Sequence, residues 1–386
     1  MVRYATQAQT ESLYIHWPFC PYKCHFCPFV ALAGQDAHMP EYHKALTYEL
    51  TRFAQAQENP MPLKTIYIGG GTPSTWPDQL LLDMFGTLRN TFDMSLVSEI
   101  TLEVNPGTVR PEQIPVWKQA GITRISVGVQ SLNDQVLQGL NRMQSAAQVR
   151  QLLQQLAGNF KSISVDIIVG LPGVSEQEWK DFIGELVTWP IMHVSMYFLS
   201  VHEGTPLYFR VARKQITLPP DEGIVDLYYW SVNALKEGGF MQYEVSSFAK
   251  PGFESQHNQV YWKRAPFKGI GIGAWSFDGK ARIQNEKNIT TYMKAQQEGC
   301  DAVFSREELT QKAVRLEQLM LGLRCMRGAL ISEVIDELSP EQQQEFSNRL
   351  MALKEKEIVS VQEERIFLSP SSLALENEVA GYLSVE

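Results

Sequence analysis

From Ser12 to Leu199 the chain alternates between two hydrophobic periods. Short β-branched and apolar runs read as strands at Ser12–His16, Thr65–Ile68, Glu99–Val104, Arg124–Val129, Ile163–Val169 and His193–Leu199. Between them lie helical patterns at Glu41–Gln57, Asp78–Asn90, Pro111–Ala120, Asp134–Gly139, Ala146–Gly158 and Glu176–Val187. Strand–helix repeats of this length predict an α/β fold with a parallel sheet curled into a partial (β/α)6 TIM-like barrel over residues 1–200. Such folds carry their chemistry at the C-terminal ends of the strands. The glycine-rich and polar motifs fall at those ends.

Regularity drops over 201–304. That stretch holds a helix at Asp221–Glu237, a strand at Tyr243–Phe248, an aromatic and glycine-rich run with strand-like pieces at Gln256–Phe277, and a helix at Asn288–Glu298. Over 305–386 the pattern changes again. Helices are expected at Leu309–Leu323, Ile331–Ile335 and Pro340–Lys354. A hairpin pairs Ile358–Val361 with Arg365–Leu368 around Glu363-Glu364, and a last helix covers Ser372–Leu383. This order predicts a small C-terminal winged-helix-like α+β domain. The formal net charge of −9 and the absence of a basic recognition helix make it a cover for the barrel mouth, not a nucleic-acid reader.

Composition narrows the class further. No basic run stands out, which argues against nucleic acid or an anionic membrane as the main partner. The N-terminal stretch MVRYATQAQTESLYIHW lacks a signal-peptide core, and no apolar run reaches the length of a membrane span. The expectation is a soluble cytoplasmic protein, not an integral membrane one. Five Cys in 386 residues are too few, and odd in number, for a disulfide framework.

Three of those Cys, Cys20, Cys24 and Cys27, stand in one loop with C-x3-C-x2-C spacing. Three thiolates so placed can hold three irons of a [4Fe–4S] cluster. Pro28 and Phe29 follow where a fourth Cys would stand, so the fourth iron stays open. A zinc site completed by His16 and His25 is the alternative, since closed zinc sites need four ligands. Cys300 and Cys325 are expected to be buried apolar residues, and His38, His43, His193 and His202 to be structural. Gly69-Gly70-Gly71-Thr72 follows the second strand, where glycines let backbone approach a ligand. Glu103, Gln130, Arg142 and Asp166 lie at or near later strand ends. Each is costly unless paired, and four around one barrel argue for a shared ligand. His257-Asn258-Gln259-Val260-Tyr261-Trp262 is either a capped turn with buried aromatics or a ligand surface.

SLYIHWPFC, CHFC, IGGGTPS, LEVNP, ISVGVQSLN, NRMQS and DIIVGLPG occur in that order over nearly the whole chain. On these motifs the sequence resembles the HemN/HemW group of radical S-adenosylmethionine proteins. That group contains oxygen-independent coproporphyrinogen III oxidases and heme chaperones. The resemblance implies a radical SAM barrel with S-adenosylmethionine on the open iron. It implies that Tyr14 and Phe26 help bind this cofactor and that Gly70, Gly71 and Thr72 receive its amino group. It implies too that Glu103, Gln130, Arg142 and Asp166 contact it elsewhere. HNxxYW is linked to heme binding in the chaperones, which implies His257 on the iron with Tyr261 and Trp262 against the porphyrin. Two positions depart from the pattern: Gln144 stands where a His is frequent, and Pro28 where an Asp is. HNxxYW, and Phe29 where the oxidases have a further Cys, favour a heme chaperone that delivers heme to acceptor proteins. The alternative is the oxidase, a radical enzyme that decarboxylates porphyrin propionates. Either implies an electron donor, and a homodimer is left open.

Overall fold

The computed structural model describes residues 10–57, 62–336 and 338–385. The first nine residues of the N-terminal stretch lie outside them. The six expected strands form: β1 (Ser12–Trp17), β2 (Thr65–Gly70), β3 (Glu99–Val104), β4 (Arg124–Gln130), β5 (Ser162–Val169) and β6 (His193–Phe198). They pair in chain order, all parallel. Three short strands from the irregular region extend the sheet: β7 (Met241–Glu244), β8 (Ser247–Ala249) and β9 (Lys268–Ile270). The full order is β9-β1-β2-β3-β4-β5-β6-β8-β7. β9 lies parallel to β1, and β8 antiparallel to β6. The result is an open α/β barrel.

Every core strand alternates. Leu13, Ile15, Ile66, Ile68, Leu102, Ile125, Val127, Val165, Ile167, Val194 and Met196 point outward into one apolar cluster with the helices. Their neighbours point into the lumen and are polar or small apart from Ile168. The register makes this one surface: Tyr14 is level with Tyr67, Tyr67 with Thr101, Glu103 with Ser126, Gly128 with Asp166, and Asp166 with Ser195. Parallel strands covered on both faces usually read as unbroken apolar runs. These do not, because one face borders a cavity.

Two expectations about local elements are corrected. Tyr243–Phe248 is not one strand: Glu244 carboxylate accepts the Ser246 N–H at 2.9 Å, which turns the chain back as β7 and β8. Gln256–Phe277 opens with a helix, Gln256–Trp262, whose N-cap Ser255 accepts from Asn258 N–H. The strand Val303–Glu308 pairs with Ala281–Asn285 and so lies across the boundary expected at 304/305.

The C-terminal region holds helices Gln311–Arg324, Ile331–Ile335 and Pro340–Glu355, a three-stranded sheet, and helix Glu376–Leu383. The main apolar cluster runs from Leu13 to Val385, so this region shares the core of the barrel. Arg324 ties the two together, 2.9 Å from buried Glu244.

Candidate cofactor site

The cysteine loop is pinned at both ends. Phe19 and Cys20 pair with Leu32 and Ala33. Inside it, Cys27 N–H bonds Cys24 carbonyl at 3.2 Å, and His25 N–H bonds Leu140 carbonyl at 2.9 Å. All three thiols are free, Cys20 and Cys24 buried and Cys27 half-buried. Thr72 hydroxyl donates to Cys20 Sγ at 3.2 Å, and Arg142 reaches Cys24 Sγ at 3.7 Å. Burial pushes the Cys20 thiol up to about 11 and raises that of Cys27. Iron ligation requires thiolates, so loading the loop is coupled to loss of these protons.

The loop forms one wall of a cavity of about 460 Å³ at the C-terminal ends of the strands. Cys20, Cys24, Cys27, Phe26, Gly70, Gly71, Thr72, Glu103, Gln130, Arg142 and Asp166 all line it. Gly70 has φ +108°, and a Cβ there would stand 2.5 Å from the His16 ring. A Cβ on Gly71 would collide with Pro18 carbonyl oxygen. Here the glycines are required by close packing beneath the cavity floor. Gln130 sits at φ +65° beside a register shift between β4 and β5, an uncommon backbone state that tends to mark functional sites.

Two half-buried carboxylates give the cavity its electrostatic character. Glu103 accepts Tyr67 hydroxyl at 2.7 Å and Gly70 N–H at 3.2 Å. Asp166 accepts Ser126 hydroxyl at 3.0 Å. Burial pushes Glu103 up to about 7 and raises Asp166 as well. Of the lining cations Lys23 and Arg142, Arg142 hydrogen-bonds away from both carboxylates: it donates to Gly128 carbonyl at 2.7 Å, to Gln144 at 2.8 Å and toward Cys24. Gln144, at the position where the family pattern often has His, is buried and holds Arg142 in place. Carboxylates so placed are suited to a ligand that carries positive charge and hydroxyl donors.

The residues present fit a cluster better than a single ion. Among the described residues no trio of His, Cys, Asp or Glu converges on one point. A cluster does not ask for that, since each thiolate takes a different iron. The zinc alternative loses its other ligands. His16 Nε2 is 2.8 Å from Val30 carbonyl and Nδ1 is 3.1 Å from Tyr14 hydroxyl, and His25 Nδ1 faces Arg210 at 3.3 Å.

Several expected residues are placed otherwise. Tyr14 does not reach this cavity. It stacks near Tyr67 and lines a neighbouring cavity beyond Pro28. His257 is not open to an iron: it is fully buried under the N-terminal end of the barrel. Its Nδ1 is 2.8 Å from Thr65 hydroxyl and its Nε2 2.8 Å from Tyr261 hydroxyl. Trp262 is half-buried, and one face of its ring is taken by the Arg324 guanidinium, 4.6 Å from the ring centre. Cys300 is exposed, not buried, because it follows the left-handed Gly299 that ends helix Ile289–Gln297. His202 lies at the cavity rim.

Tyr67, Asn105, Ser126 and Tyr197 also line the cavity and were missed. For Tyr67, Ser126 and Tyr197 the signal was present in the strict polar alternation of TIYIGG, RISVGVQ and HVSMYF. Read as a lumen face, it would have selected them.

A model of the radical SAM superfamily matches residues 14–186. A heme chaperone HemW of Lactococcus lactis is 30% identical over 96% of this chain and 96% of its own length. One of Bacillus subtilis is 30% identical over 96% of this chain and 98% of its own. Among solved structures, the coproporphyrinogen III oxidase HemN of Escherichia coli superposes with a TM-score of 0.84 at 22% identity, covering 100% of this chain and 92% of that one. That likeness concerns the fold.

Proposed function

The chain belongs to the HemW heme-chaperone family of radical SAM proteins, and from that membership we propose that it carries heme to acceptor proteins while holding a [4Fe–4S] cluster and S-adenosylmethionine. The observation that supports the reading is the cavity itself. Three free thiols share it with two half-buried carboxylates that form no ion pair with a lining residue at salt-bridge distance among the described residues.

Cys20, Cys24 and Cys27 would hold the cluster, which supplies an open iron for the amino and carboxylate groups of the sulfonium cofactor. Glu103 and Asp166 offer negative charge and acceptor atoms, Thr72 steadies Cys20, and Phe26 gives an apolar ring for the adenine. Arg142, clamped by Gln144 and Gly128 carbonyl, places a fixed positive charge beside Cys24. Among the described residues no helix is long and apolar enough to cross a membrane. The cytoplasmic setting, an electron donor and the option of a homodimer belong to this proposal.

The test is a side-by-side assay on reconstituted protein: heme transfer to an apo-hemoprotein, and conversion of coproporphyrinogen III with S-adenosylmethionine and reductant. Transfer without decarboxylation is expected. Robust formation of protoporphyrinogen would replace the carrier by the oxidase.

A further inference from the structure

The three cysteines line the cofactor cavity, and two other segments grip the loop that carries them. Between Cys24 and Cys27 the loop has no strand partner, so its backbone groups must be satisfied from elsewhere. His25 N–H donates to Leu140 carbonyl at 2.9 Å, and His25 carbonyl accepts Leu207 N–H at 3.0 Å. Asn141 side-chain amide donates to Lys23 carbonyl at 2.9 Å. Leu140 closes helix Asp134–Gly139, and Leu207 lies in the first turn of helix Pro206–Ala212. The last carbonyls of one helix and the first amides of another have no partner within their own helix, and His25 meets both. The second helix starts at a fixed place because Pro206 opens it and Thr205 hydroxyl accepts Tyr208 N–H at 3.2 Å.

Arg210 joins these two helix ends. Its Nη1 donates to Gly139 carbonyl at 2.7 Å and stands 3.3 Å from His25 Nδ1. A guanidinium only donates, so Nδ1 is the acceptor. Phe26, next in the chain, packs on the apolar cluster of Leu140, Ile168, Leu171 and Leu207 while also lining the cofactor cavity. We propose that helix Pro206–Ala212 is the brace of the cysteine loop and that Arg210 is its positioning residue. It holds the span from Cys24 to Cys27 in the shape that receives the cluster, and it keeps the Phe26 ring on the cavity wall. The inference rests on the cluster and S-adenosylmethionine reading of that cavity. Arg210 touches neither group and acts through His25.

The test begins on the unloaded full chain, by hydrogen exchange over residues 22–28 and by alkylation of Cys24 and Cys27. Arg210→Met keeps the length of the side chain and removes its donors. It should speed exchange of the loop by about tenfold and alkylation severalfold, with the melting point nearly unchanged because Arg210 is half-buried at the surface. After anaerobic reconstitution it should assemble a cluster, lose iron to a chelator severalfold faster and bind S-adenosylmethionine severalfold more weakly. The change that S-adenosylmethionine makes in the electron paramagnetic resonance signal of the reduced cluster should shrink. Arg210→Lys, which keeps a donor for Gly139 carbonyl, should restore most of each property. Asn141→Gly, at a backbone φ of +57° that glycine accepts, should act in the same direction with smaller effect. Arg213→Met, on the exposed end of the same helix, should change none of them. Loop exchange as slow in Arg210→Met as in wild type would overturn the brace. Faster exchange with unchanged iron release and unchanged S-adenosylmethionine affinity would overturn its part in cofactor binding. Absence of any cluster in reconstituted wild type would instead remove the cavity reading on which the inference stands, whatever the exchange of the unloaded chain.

Discussion

At the N-terminal end of the barrel lumen the charged and imidazole side chains of Glu99, His257 and His193 meet partners that the chain itself supplies. Glu99 receives the N–H groups of Gln256 and His257 at 3.0 and 2.9 Å. His257 is held between Thr65 and Tyr261, and His193 between Ser164 and Tyr243, at 2.8 Å on every side. At the C-terminal end the same strands carry the same kinds of residue, yet Glu103 and Asp166 receive only hydroxyl and amide donors and burial raises both. The segment 241–262 closes the first end, while the second is left as a cavity. A buried polar group with its partners present is part of the fold. One whose charge is left over is waiting for a ligand.

That contrast is most directly challenged at the cysteines. Cys24→Ser should abolish the broad visible absorbance that dithionite bleaches after anaerobic reconstitution, while leaving the thermal melting point of the unreconstituted protein nearly unchanged. A full cluster in this variant would refute the ligand set. The opposite profile is expected below. Glu99→Ala strips the acceptor from buried donors and should cost about 3 kcal/mol of stability by chemical denaturation. Affinity of the folded fraction for S-adenosylmethionine should be unchanged. A variant as stable as wild type would show that the closed end is not held as described.

The smallest effect expected is a pH dependence at Glu103. Burial pushes its carboxyl up to about 7 in the folded chain from the ordinary 4.5, so the folded state keeps a proton that the unfolded state has already released. The contribution of this group to stability is therefore full at low pH, declines as pH rises through that window, and is flat above it. Binding of a cationic ligand, here the sulfonium of S-adenosylmethionine, runs the other way because it favours the carboxylate. Affinity at pH 6 should be about tenfold below that at pH 8. Glu103→Gln should flatten both profiles. A slope that survives in that variant would assign it to another group.

Strand positions, the cysteine loop and most of the cofactor wall were legible because they are local. A period of two or 3.6 and a spacing of C-x3-C-x2-C are read within a few residues of chain. Cavity residues missed on the strands, such as Tyr67 and Tyr197, were visible in the alternation, but only to a reader who expects a polar lumen inside a parallel sheet. The turn at Val245-Ser246 was not legible, since it depends on a side chain, Glu244, that is itself held by Arg324 some eighty residues on.

By itself, then, the sequence determined the βα order, the three-thiol loop and the polar face of each strand, because these are properties of neighbours along the chain. Tertiary structure alone decided which polar residues are satisfied. It turned His257 from a candidate ligand into a buried strut, moved Tyr14 out of the cofactor cavity, and set Tyr261 at the edge of another. Those outcomes hang on contacts such as Thr65 with His257, 192 positions apart. Only the closing of the barrel brings such groups within hydrogen-bonding reach, and no local pattern encodes that distance.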